Sequence, residues 1–240
     1  MHDSITRLFA ALDLTRLGDA DTTADIEALC ALAARCPVPP AAVCVHPEMI
    51  VSARRGLAER GLDTVVVATV VNFPDGGDDP ARIEREIRRA RGAGAQEIDA
   101  VLPWRRLLDG NMASVSACLA AARRASGVLP LKIILETGEL VTAERIRQAS
   151  EMAVEAGADF IKTSTGKAAT NATPAAAEIM LTVLAEHGGR CGFKAAGGLR
   201  APAQAAVYFA LADRLLGEDW ACPQHFRLGA SSLAEAALEH

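Results

Sequence analysis

Short apolar runs alternate with longer amphipathic stretches along the whole chain. The runs are Ala10–Leu14, Ala42–Val45, Thr64–Val71, Glu97–Leu102, Leu131–Leu135, a run opening at Phe160, Cys191–Lys194 and His225–Leu228. Val65, Val66, Val67, Thr69, Val70 and Val71 make the third the clearest, since β-branched residues fit a pleated strand. Its unbroken apolar character suits a parallel strand covered on both faces. Between the runs, apolar residues recur at helical spacing, as in Ile26, Leu29, Cys30 and Ala33, or Ile83, Ile87 and Ala90. Helix starts are marked by Asp79-Pro80, Thr142 and Thr173-Pro174, and stops by Gly61, Gly157, Gly188 and Gly217.

Regular strand–helix alternation implies parallel strands with helices outside them. Eight such units in 240 residues predict a (β/α)8 TIM barrel as a single domain, 1–240. Residues 1–7 read as an N-terminal extension and 238–240 as the start of a purification-tag scar. A doubly wound open sheet is the alternative, but no G-x-G-x-x-G follows the first strand.

Composition narrows the function. A net charge of −5 with no basic run argues against nucleic-acid binding. No apolar run approaches the length of a membrane span, and no secretory signal is evident. The six cysteines are scattered without C-x-x-C spacing, which suits free thiols in a reducing cytoplasm. No H-E-x-x-H occurs among the five histidines, so no metal is expected. A homodimer is the expected assembly.

Active sites of such barrels lie at the C-terminal ends of the strands. The polar residues predicted there are Asp13, Cys44, Asn72, Asp99, Glu136, Lys162, Thr165, Lys194 and Ser231. Lys132 begins its strand and reads as structural or supporting. A lysine inside an apolar run is costly to keep charged, and a neutral amine is a nucleophile toward carbonyls. Lys162 and Lys194 in successive strands would repel one another and lower one pKa. Equally, each lysine could pair with Asp13 or Asp99 in a structural ion network. Asp99 in its apolar strand needs a partner, and near a lysine it could shuttle protons. Three small polar turns, Thr165-Gly166-Lys167, Ala196 to Arg200 and Gly229 to Ser232, could together cradle an anion such as phosphate.

Seven segments in this order carry a resemblance: Leu12–Thr15, Val43–Pro47, Glu97–Asp99, Glu136–Leu140, Phe160–Lys167, Gly192–Gly198 and Gly229–Ser232. Together they resemble the class I deoxyribose-phosphate aldolases, from about Leu8 to Leu233. F-I-K-T-S-T-G-K followed by G-F-K-x-A-G-G is the most specific part. The resemblance implies reversible cleavage of 2-deoxy-D-ribose 5-phosphate to glyceraldehyde 3-phosphate and acetaldehyde, without a cofactor. Lys162 would form the Schiff base and Asp99 would donate or accept protons. Lys194 would depress the Lys162 pKa, with Asp13 orienting it. Gly166, Lys167, Gly197, Gly198, Ser231 and Ser232 would hold the phosphate, with Thr165 and Gly229 in the same turns, and Cys44 and Asn72 near the site. Ala195 stands where the family often has proline. The single tyrosine, Tyr208, falls in a predicted helix, not in the terminal tail that assists proton transfer in some members. A related class I aldolase with other carbonyl partners, or a non-catalytic sugar-phosphate sensor, are the competing readings.

Overall fold

The computed structural model describes residues 2–239. Eight parallel strands close into a barrel in sequence order. They are β1 (Leu12–Arg16), β2 (Ala42–Val45), β3 (Val66–Val71), β4 (Glu97–Val101), β5 (Leu131–Ile134), β6 (Phe160–Lys162), β7 (Gly192–Ala196) and β8 (Phe226–Ala230). The outer helices are α1 (His2–Ala10), α2 (Thr23–Arg35), α3 (Ile50–Ala58), α4 (Pro80–Gly92), α5 (Trp104–Leu108) and α6 (Met112–Ser126). They continue with α7 (Thr137–Leu140), α8 (Ala143–Glu155), α9 (Pro174–Glu186), α10 (Pro202–Leu216) and α11 (Leu233–Leu238).

The capping residues act as their chemistry requires. Asp79 accepts from the amides of Ala81 and Arg82, Thr142 from Arg145 and Thr173 from Ala176. Each satisfies amides that have no partner inside the helix. The bounds of four strands differ from the sequence reading for a common reason. Ala10 belongs to α1, so β1 starts at Leu12; Thr64 and Val65 form the turn before β3; β7 and β8 run two residues further than expected. Neighbouring strands pair by backbone hydrogen bonds, which residue type does not reveal. Residues 2–7 of the expected extension belong to α1, which packs on α10 through Arg7; Arg7 pairs with Asp213 and lies over the Phe209 ring. Leu238 packs against the core, and His240 and Met1 lie outside the described residues. No helix among the described residues is long and apolar enough to cross a membrane.

The barrel has two unlike layers. Outward-facing strand residues such as Val43, Val67, Ile98, Ile133, Ile161, Phe193 and Leu228 join the helices in one large apolar core. Inside, the apolar patch is small: Ala42, Cys44, Ala68 and Val70. Asp13, Glu97, Asp99, Lys132, Lys162, Lys194 and Arg227 are also buried. Period-two alternation puts them on the inner face, opposite the apolar residues that bind the helices.

Candidate active site

Register builds the site. Lys162 and Lys194 are paired directly across β6 and β7, and Asp99 is paired with Lys132 across β4 and β5. Glu97 precedes Asp99 by two residues and faces the same way. Closure of β8 onto β1 brings Arg227 to Asp13. Gly229 leaves room for the stem of Lys194, since a Cβ there would lie 3.0 Å from Lys194 Cε.

The ion cluster is continuous. Lys162 Nζ donates to Asp99 Oδ2 at 2.8 Å, and Lys194 Nζ donates to the same oxygen at 2.8 Å. Lys194 also donates to Asp13 Oδ2. Lys132 Nζ donates to Asp99 Oδ1 at 2.8 Å and to Glu97 Oε2 at 2.5 Å. Arg227 reaches Asp13 Oδ1 at 2.8 Å and Glu97 Oε1 at 2.9 Å. Three carboxylates thus face four bases, and Lys162 shares its one carboxylate with both other lysines.

The directions of the pKa shifts follow from these contacts. Burial pushes each lysine toward its neutral form. For Lys194 this is outweighed by Asp13 and Asp99, and for Lys132 by Asp99, Glu97 and Asp13, so both rise above the ordinary lysine value. Lys162 instead falls below it: burial dominates, Asp99 opposes, and Lys194 adds its repulsion. Burial alone would raise Asp99, but Lys132, Lys162 and Lys194 hold its carboxyl well below the usual range. Asp13 is likewise lowered, against burial, by Lys194, Arg227 and Lys132. Of the four bases Lys162 alone has a single carboxylate partner, and among the three lysines its pKa is the one that falls.

A cavity of about 510 Å³ opens above Lys162. Three turns line one wall, bringing together Thr165, Gly166, Lys167, Gly197, Gly198, Gly229, Ser231 and Ser232. Gly166, Gly197 and Gly198 have φ of 85°, 88° and 82°. At Gly197 a Cβ would also meet Asn171 at 2.7 Å, so the position has both reasons to be glycine. The β1–α2 loop also lines the cavity, and there Arg16 is tied to Asp21 at 2.7 Å. Lys167 Nζ pairs with Asp19 at 2.7 Å across the mouth. Arg200 also lines the cavity, and its guanidinium has no ion-pair partner among the described residues.

Two expected neighbours of the site sit elsewhere in it or outside it. Cys44 is fully buried beside the lysines, and burial pushes its thiol above the ordinary value. Asn72 does not line the cavity: its amide donates to the carbonyls of Gly77 and Val101, at 2.8 and 3.0 Å, and anchors the β3–α4 loop. The expectation rested on its place just after β3; with a left-handed backbone, φ 53°, its side chain turns into the loop instead. Lys132, expected lower in the barrel, contacts Asp99 directly. Glu97 and Arg227 were missed; the two-residue spacing from Asp99 was the available signal for Glu97. Arg200 follows Gly197-Gly198 in a turn already singled out. Tyr208 lies buried in α10, stacked on Phe193. Among the described residues no group of three or more His, Cys, Asp or Glu side chains is arranged to hold a metal ion.

Solved structures share this architecture. One from Toxoplasma gondii, provisionally named a deoxyribose-phosphate aldolase, is 26% identical with a TM-score of 0.89, covering 99% of this chain and 92% of that one. Another so named, from Coccidioides immitis, is 29% identical with a TM-score of 0.85, covering 98% and 86%. A third, the aldolase QR15, is 28% identical with a TM-score of 0.78, covering 97% and 96%. The family model for DeoC/LacD family aldolases matches residues 7–232, which takes in all eight strands and the whole ion cluster, and the chain belongs to that family.

Proposed function

We propose that this aldolase cleaves 2-deoxy-D-ribose 5-phosphate reversibly through a Schiff base on Lys162. The observation that carries the reading is geometric: Lys162 is buried against the single carboxylate Asp99 and lines a cavity that glycine-rich, cationic turns also line, and the lowered pKa of its amine agrees with this. The names of the Toxoplasma and Coccidioides structures support the choice of substrate.

The chemistry follows from the groups present. Neutral Lys162 adds to the substrate aldehyde carbon, C1, and the carbinolamine hydroxyl takes a proton, supplied by the Lys194 ammonium through Asp99, and leaves as water to give an iminium. A base then takes the proton of the C3 hydroxyl. The C2–C3 bond breaks, its electrons move into the enamine, and glyceraldehyde 3-phosphate departs. Protonation of the enamine at C2 and hydrolysis release acetaldehyde and regenerate the amine. Asp99, held ionised and within hydrogen-bond reach of both lysines, suits the base. Lys194, kept protonated by Asp13 and Asp99, can return the proton through Asp99. The phosphate would sit against Gly166, Lys167, Gly197, Gly198, Ser231 and Ser232, with Arg200 adding charge. A non-catalytic sensor would have no use for a depressed amine sealed under the phosphate site.

Borohydride reduction in the presence of acetaldehyde or 2-deoxyribose 5-phosphate, followed by peptide mass mapping, tests this. An adduct on the peptide containing Lys162, absent in Lys162→Met, is expected. Absence of any adduct in the parent protein, or its appearance on another lysine, would sink the mechanism. Acetaldehyde release compared across several sugar phosphates tests the substrate.

A further inference from the structure

Glu136 stands two residues after β5, at the N-cap of α7, and its buried carboxylate makes no salt bridge to the ion cluster, although it feels the charge of Lys162. Only 3% of the residue is exposed, and it has no ion-pair partner among the described residues. An unpaired buried carboxylate is costly. Its backbone is left-handed, φ 59° and ψ 57°, which for a residue with a side chain costs further free energy. Two local penalties at one residue beside a candidate site call for a compensating role.

The hydrogen bonds indicate what it is. Glu136 Oε2 accepts from the Thr165 hydroxyl at 2.5 Å, and Oε1 accepts from the Thr165 amide at 3.2 Å. The Thr165 hydroxyl oxygen in turn accepts from the Lys167 amide at 3.0 Å. With its one proton directed to Glu136, the Thr165 hydroxyl keeps its lone pairs for the Lys167 amide. The carboxylate thereby claims, directly or through Thr165, the amides on both sides of Gly166. The Gly166 N–H has no acceptor among the described residues, and its φ of 85° puts it at the apex of the turn. The short helix that follows Glu136 backs the next loop as closely: a Cβ on Gly138 would lie 2.0 Å from the Thr170 carbonyl oxygen. Asn171 in that loop lies against Gly197 of the second turn.

We propose that Glu136 is the positioning residue of the phosphate-binding turn, fixing Thr165–Lys167 so that the Gly166 amide and the Lys167 ammonium are presented to the substrate phosphate. The inference rests on the reading of that turn as a phosphate site. Glu136 touches neither the reacting carbon nor the phosphate, and acts through Thr165.

The test is steady-state cleavage of 2-deoxyribose 5-phosphate and of unphosphorylated 2-deoxyribose, with inorganic phosphate as competitor. The proteins are the parent, Glu136→Gln, Thr165→Val and the double variant. Losing a hydrogen-bond pair to a charged acceptor predicts about a tenfold rise in KM for the phosphorylated substrate, and in Ki for phosphate, in each single variant. The ratio of kcat/KM for phosphorylated over unphosphorylated sugar should fall by the same factor. The double variant should be no worse than the singles, because both break one link. Thr165→Val carries the test if Glu136→Gln fails to fold by circular dichroism.

An equal loss on both sugars, confined to kcat, would show Glu136 acting on Lys162 rather than on the turn. Additive losses in the double variant would break the Thr165 link. Tighter phosphate binding in Glu136→Gln would mean that charge repulsion outweighs positioning. Each of these overturns the proposal. If the parent shows neither preference for the phosphorylated sugar nor inhibition by phosphate, the phosphate-site reading itself is wrong.

Discussion

Replacing Lys194 by Met removes a buried charge while keeping most of the side-chain length. Lys162 Nζ and Lys194 Nζ both lie 2.8 Å from Asp99 Oδ2, so they are at most twice that distance apart, 5.6 Å. At an effective dielectric of about 20, two unit charges at that separation repel by about 3 kcal/mol. Removing Lys194 also leaves Asp99 less shared, which adds to the effect. Lys194→Met should therefore raise the Lys162 pKa. The assay is the pH dependence of borohydride trapping with acetaldehyde, which reads imine formation and not the later proton transfers. The trapping midpoint should move to higher pH. Circular dichroism must show a folded protein, since Asp13 retains Arg227 but loses a partner. A midpoint that stays put or moves down would refute the argument, and burial alone would then be what holds the amine neutral.

Lys132→Met leaves Glu97 and Asp99 short of a buried partner and should cost about 3–5 kcal/mol, read as a lower urea midpoint. The acid limb has a definite sign. Asp13 and Asp99 have folded pKa values below their unfolded ones, so their stabilisation is present above the ordinary aspartate pKa and is lost as pH falls through the folded values. Urea midpoints should decline steadily below about pH 4, and a flat acid limb would contradict this. Gly197→Ala should raise KM for the phosphorylated substrate by at least several-fold, because φ of 88° and the contact with Asn171 at 2.7 Å both oppose a Cβ. Unchanged KM would remove that turn from the phosphate site. Cleavage activity is expected to survive dialysis against a chelator; loss restored by a divalent metal would count against a Schiff-base mechanism.

Much of the barrel was legible because its elements carry local signals. β-branched runs mark β3, and Asp79-Pro80, Thr142 and Thr173-Pro174 mark helix starts whose caps form as expected. α5 and α7 were not legible. They are short turns in βα loops, held by packing and not by any periodic pattern of their own. The octapeptide Phe160–Lys167 was recognisable as strand, lysine and turn, and the structure puts Lys162 and the turn on one cavity.

The sequence by itself determined the order of strands and helices, the placement of Asp99, Lys162 and Lys194 within strands, and the glycines of the three turns. These depend on residue type and spacing within a few positions. Which charge neutralises which depended on the tertiary structure. Asp13 and Arg227 lie 214 positions apart and meet only because β8 closes on β1. Asp99 reaches Lys132, Lys162 and Lys194 only because the strand register stacks them inside one barrel. Register is a sum of backbone pairings around the whole ring, and no local pattern encodes it. The lowered pKa of Lys162, against the raised values of Lys132 and Lys194, follows from that closure, since the pKa of a buried lysine is set by all the charges around it.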